Sequence, residues 1–144
     1  MNKPVSLSQF GPVIEEVLSS GGKVKITATG TSMEPVIKNG SDTVTLTAVN
    51  KELGIDDIVL FKRDNGKLVL HRIIGKNQNG FVLRGDSQWT TENVSAENII
   101  AVLDSVERNG KPVNYKKYDK ILPVIRWSNR IKNSIRIRLG DTSK

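Results

Sequence analysis

The sequence predicts a mainly β protein (all-β to α+β): a curled, barrel-like antiparallel sheet behind one N-terminal helix, closed by a basic C-terminal helix. Two observations carry this. Six short β-rich runs follow one another from Lys23 onward, and the breaks between them include Asn39-Gly40, Asp64-Asn65-Gly66 and Asn79-Gly80, the residue pairs that tight hairpins favour. Before them, apolar residues recur at helical spacing only between Ser6 and Ser20.

In chain order, Phe10, Val13, Ile14, Val17 and Leu18 form the apolar stripe of the first helix, and Gly21-Gly22 supplies its stop. The predicted strands are Lys23–Ala28, Thr43–Val49, Ile58–Lys62, Lys67–Ile74, Gly80–Arg84 and Ile99–Glu107. After Asn109-Gly110 a short stretch leads to Pro123. Beyond it Val124, Trp127, Ile131, Ile135 and Leu139 share one helical face, with Arg126, Arg130 and Arg136 away from it. Ser134–Leu139 also alternates as a strand would, so either type fits there. The expected organisation is therefore a helix over 1–22, a β domain over 23–110 and a basic amphipathic tail over 111–144.

Composition narrows the function classes. With 144 residues the chain holds one domain with a real core. It has no cysteine, which excludes disulfides, thiolate zinc sites and a cysteine nucleophile. It has one histidine, which excludes a multi-histidine metal site, and its carboxylates show no metal-ligand spacing, so neither metal nor cofactor is expected. Clean apolar runs reach only five residues, as at Ile99–Leu103, against the roughly 20 a spanning helix needs. Glu15 and Glu16 interrupt any N-terminal apolar segment, so no signal peptide is expected and the predicted location is the cytoplasm. The net charge is +7, but residues 1–110 carry 12 Lys/Arg against 13 Asp/Glu, whereas 111–144 carry 10 against 2. The excess charge therefore concerns the tail's partner and not the chemistry of the body.

Three segments could carry chemistry. Gly30-Thr-Ser32-Met33-Glu-Pro35 combines glycine, hydroxyls and proline in a tight corner, where a side chain can be presented off a rigid scaffold. By itself, such a serine is more often a local backbone hydrogen-bonder. His71, in Leu68-Val-Leu-His-Arg-Ile-Ile-Gly75, interrupts an apolar β-run, and a lone histidine is more often structural than catalytic. Leu83-Arg-Gly-Asp86-Ser87, followed by Glu92, reads alone as a turn.

Taken in order, these segments resemble the type I signal peptidase superfamily, which includes the self-cleaving repressor peptidases. Its nucleophile motif, Gly-x-Ser-Met-x-Pro, is matched by Gly30 to Pro35. A Gly-Asp-x-Val turn is matched loosely by Gly40-Ser-Asp42-Thr-Val44. A second turn, Gly-Asp-Ile-Val, has aspartate for glycine here, in Asp56-Asp57-Ile58-Val59. The strand bearing the base reads His71-Arg72-Ile73-Ile74-Gly75, and the closing Gly-Asp box with a later acid is matched by Gly85-Asp86 and Glu92. The resemblance spans roughly Lys23 to Leu103. Histidine at the base position places the chain with the Ser–His branch rather than the Ser–Lys branch.

The resemblance implies a serine-type endopeptidase that cleaves a leader or precursor peptide. Ser32 would be the nucleophile and His71 the general base, an imidazole suited to the task at its ordinary pKa of about 6.5. The orienting carboxylate would be Glu92, where the family usually has aspartate, or Asp86. Backbone N–H groups around Ser32 would hold the oxyanion, with Thr31 and Met33 beside it. Gly30 stands where some relatives add a serine, so side-chain help would come from Thr31 or from nothing. Substrate would add as a strand along Thr27–Thr29, placing Thr29 at the receiving edge.

Unlike members of the resembling family, the chain is expected to carry no transmembrane anchor, DNA-binding domain or self-cleavage site. Residues 121–139 could replace the anchor by resting on anionic lipid at the cytosolic face, where basic residues contribute about 1 kcal/mol each. The plainer reading is a packed helix with a solvated basic face. Nucleic acid is disfavoured: only Trp127, Tyr115 and Tyr118 could stack, and no recognition motif is present. The competing functional reading is a catalytically inactive binding or scaffold protein of the same fold.

Overall fold

The structure is a computed structural model and describes residues 7–123. A 3-10 turn at Leu7–Phe10 leads into helix α1 (Gly11–Ser19), whose Pro12 sits in the first turn, where an N–H has no intrahelical partner anyway. Ile14 and Leu18 are its buried residues, four apart as one helix face requires, and α1 packs on the first two strands. Gly21 then takes φ +86°, and the chain turns into the sheet.

Eight antiparallel strands follow: β1 (Val24–Thr27), β2 (Asp42–Ala48), β3 (Ile58–Lys62), β4 (Leu68–Asn77), β5 (Gly80–Arg84), β6 (Glu92–Ser95), β7 (Ile99–Arg108) and β8 (Lys111–Pro112). The spatial order is β1-β2-β7-β3-β4-β5-β6, with β8 on β7. The six predicted strands are all present. Two more are added, β6 and the two-residue β8. The sheet is not the expected barrel: it ends in β1 on one side and β6 on the other, and the two are not paired.

Strand β3 explains the core. Ile58, Val59, Leu60 and Phe61 are all buried, because β3 lies between β4 and β7 with both faces covered. Val59 and Phe61 project into one cluster with Ile73, Leu83, Val94, Ile99, Val102 and Leu53. At period two, Ile58 and Leu60 face the opposite side.

The tail begins a separate unit at Asn114. It has a 3-10 turn at Tyr115–Lys117 and then helix over 118–123, with Lys117 Nζ 5.3 Å from the Tyr118 ring centroid. The amphipathic face from Val124 to Leu139, and with it most of the proposed lipid-binding segment, lies outside the described residues. Among those described, no helix is long and apolar enough to cross a membrane.

Candidate active site

The loop between β1 and β2 carries Ser32. Its neck is tied at both ends of the loop: Ala28 N–H donates to Asp42 O at 2.8 Å, and Gly40 N–H donates to Ala28 O at 2.8 Å. Asp42 is fully buried beneath it, receiving both Nε (2.7 Å) and Nη2 (2.9 Å) of Arg108 and the Lys38 N–H (2.8 Å). The Arg108 guanidinium holds the Asp42 carboxyl below its ordinary pKa. The loosely matched turn around Asp42 is thus the clamp that fixes the loop.

Within the loop, Gly30 takes φ +89°, a conformation other residues rarely adopt, and its N–H donates to Asn39 Oδ1 at 2.9 Å. Glu34 N–H returns to Thr31 O at 3.1 Å and Ile37 N–H to Met33 O at 2.9 Å; the Glu34–Pro35 peptide is cis. Met33, Val36 and Ile37 are buried and anchor the corner, leaving Ser32 half-buried.

The Gly85-Asp86-Ser87 turn grips this corner from outside. Ser87 N–H donates to Ser32 O at 2.9 Å, and Ser87 Oγ donates to Thr31 O at 2.7 Å. A Cβ on Gly85 would stand 2.7 Å from Ser32 O, so only glycine permits this approach. Sequence reasoning missed Ser87 as a clamp. Its signal was its place directly after the Gly-Asp pair.

His71 stands on β4, opposite Val59 of β3, and is 2% exposed. Its ring packs at a tilt on Phe61, centroids 5.6 Å apart. Nδ1 is buried without a hydrogen-bond partner and lies 3.9 Å from Glu92 Oε1. Burial lowers the His71 pKa, opposed by the Glu92 charge and assisted by Arg63. The imidazole is therefore poised below its ordinary value, not at it.

The two candidate acids have separate tasks. Asp86 forms a buried fork with Arg72, at 2.8 Å to Nε and 3.0 Å to Nη2. Arg72 also reaches Asp56 O at 3.3 Å, tying β4 to the turn before β3. Glu92 is the carboxylate near His71, and Arg63 holds both its oxygens, 3.1 Å from Nε to Oε2 with the second bond from Nη2 to Oε1. That pairing keeps the Glu92 pKa below its ordinary value. Arg63 had no sequence signal, since a basic residue at a strand end is ordinarily solvated.

Ser32 and His71 line one cleft of about 570 Å³, together with Thr29, Met33 and Gln88. Thr31 and the acids are not among its lining residues; Thr31 is exposed and contributes its carbonyl to the Ser87 clamp. One wall is β1, an end strand paired only with β2. The other is the start of β4, where β5 begins to pair only at Arg72, so Val69–His71 are laddered to β3 alone. Among the described residues no group of three or more His, Asp or Glu is placed to hold a metal.

The chain matches no protein-family model and no curated protein.

Proposed function

We propose that the protein is a serine endopeptidase of the signal-peptidase-like type that cleaves a leader or precursor peptide by a Ser–His mechanism. The observation that supports this most is that Ser32 and the only histidine, 39 positions apart in sequence, line one cleft between two strand edges. An extended peptide laid between β1 and residues 69–71 would satisfy its backbone groups as an added strand. Its scissile carbonyl would then sit at the Ser32 corner.

In this reading the Ser32 hydroxyl attacks the carbonyl carbon while a neutral His71 takes its proton. The tetrahedral oxyanion is held by backbone N–H groups of the corner, preorganised by the Ser87 clamp. Collapse of the intermediate passes the proton from His71 to the leaving amine, and water entering by the same route releases the acyl group from Ser32. Glu92, ionised beside Nδ1, stabilises the imidazolium. Residues 121–139 would bring the enzyme to an anionic membrane surface.

Two observations favour the second reading, a catalytically silent peptide-binding protein. Glu92 is engaged by Arg63, and His71 Nδ1 has no hydrogen bond to orient the ring. The test is labelling with a serine-reactive fluorophosphonate across pH 5 to 9, alongside mass-spectrometric detection of cleavage in a peptide library. Labelling or cleavage lost in both Ser32→Ala and His71→Ala supports the peptidase. Activity that persists in Ser32→Ala, or none in the unaltered protein by either method, overturns it.

A further inference from the structure

The titratable side chains that line the cleft are Arg63, Lys67 and His71, and no Asp or Glu is among its described lining residues. Arg63 is already neutralised by Glu92. Lys67 is exposed, and among the described residues no carboxylate pairs with its ammonium. Its backbone is fixed, since Lys67 O accepts the Arg63 N–H at 2.9 Å and Lys67 N–H donates to Asn65 Oδ1 at 2.9 Å. The rest of the lining is uncharged: Met33, Ile37, Ile26 and Val44 are apolar, and Thr27, Thr29 and Gln88 are the polar side chains besides Ser32. The cleft thus has an uncharged, largely apolar part at the corner and a cationic part at the β3–β4 hairpin.

We propose that Lys67 selects the substrate, an extended peptide carrying a carboxylate side chain about four residues from the bond presented to Ser32 and apolar side chains nearer to it. This rests on the reading of the cleft as a peptide site. Lys67 and His71 are four residues apart along an extended segment, about 13 Å at the usual rise. Both belong to the same alternating set with Val69, so a peptide running alongside presents side chains to them at matching intervals. With Arg63 already paired to Glu92, the Lys67 ammonium discriminates by sign, attracting a carboxylate and repelling an ammonium.

The test is fluorescence anisotropy with the Ser32→Ala protein, which cannot turn over its ligand. The probes are fluorescein-labelled, alanine- and valine-based ten-residue peptides, each bearing one Glu, Gln or Lys at a stepped position. At the position facing Lys67, the Glu peptide is expected to bind about two- to fivefold tighter than the Gln peptide, and the Lys peptide weaker than both. Lys67→Glu should reverse that order. Lys62→Glu, the same charge change on an exposed residue outside the cleft, should leave it intact. Equal affinities for the three peptides, or a reversal produced equally by Lys62→Glu, overturn the role of Lys67. So does the absence of binding by every peptide. Reactivity of Ser32 toward the fluorophosphonate is read independently, so a failure here leaves the peptidase proposal standing or falling on its own test.

Discussion

Glu92 Oε1 lies 3.9 Å from His71 Nδ1 while Arg63 holds the same carboxylate by both oxygens. Arg63 thereby sets how much of the Glu92 charge the imidazole feels. It also adds its own positive charge to the burial that already disfavours the imidazolium.

A first prediction concerns Arg63 directly. Arg63→Met removes a cation near His71 and frees Glu92 to approach Nδ1, so the His71 pKa should rise. Because the chain has one histidine, its imidazole resonances titrate without overlap in NMR. A pKa that stays in place or falls would show that Arg63 does not control the ring. Glu92→Gln should move it the other way, since the Glu92 charge is what raises it.

The depressed His71 pKa also bears on stability. The unfolded chain binds a proton at a pKa near 6.5 and the folded one only at a lower pH. The contribution is therefore fully present above about pH 6.5 and is lost as pH falls through the folded pKa. Denaturant midpoints should drop over that window, and the drop should flatten in His71→Gln. For the proposed chemistry the same shift keeps the base neutral at pH 7, so labelling of Ser32 should rise through a midpoint below 6.5.

The Arg72–Asp86 fork should be a folding element. Asp86→Ala leaves a buried guanidinium without its carboxylate and should cost about 3–5 kcal/mol. Replacing both, with Arg72→Met and Asp86→Leu, should recover much of that loss in chemical denaturation. If Asp86→Ala keeps full stability yet abolishes labelling, Asp86 and not Glu92 is the functional acid.

Asp56 occupies φ +77°, where the resembling family has glycine. Aspartate tolerates this region and β-branched residues do not. Asp56→Gly should stay within about 1 kcal/mol of the parent, whereas Asp56→Val should lose about 2 kcal/mol or more. Thermal melts of the pair check this, and equal melting temperatures would show that the turn relaxes.

Loss of the Ser87 hydroxyl isolates the clamp on the Ser32 corner. Ser87→Ala removes one exposed hydrogen bond to Thr31 O, so stability should change by only about 0.5–1 kcal/mol. Labelling of Ser32 should fall by more than that, as expected if Ser87 positions the corner. Unchanged labelling would reduce Ser87 to a surface contact.

Much of this fold was legible because its signals are local. The β-run at Ile58–Lys62 and the turn at Asp64-Asn65-Gly66 follow from side-chain chemistry over a few residues. Strand β6 was not, since Glu-Asn-Val-Ser has only Val94 to bury and is a strand because β5 pairs with it. The barrel expectation failed for a similar reason. Closure depends on whether β1 and β6 meet, and no residue in either encodes that distance.

The sequence by itself determined the Ser32 corner, the single imidazole on a strand and the two acids that could serve it. Glycine, proline and a sole histidine leave few alternatives at short range. Tertiary structure decided which acid lies beside His71 and which way the imidazole pKa moves. Those outcomes depend on partners distant in the chain: Arg63, 29 positions from Glu92, and Arg72, 14 from Asp86. They depend equally on burial against Phe61. Electrostatic energies are set by distance in space and by exclusion of water, and folding fixes both.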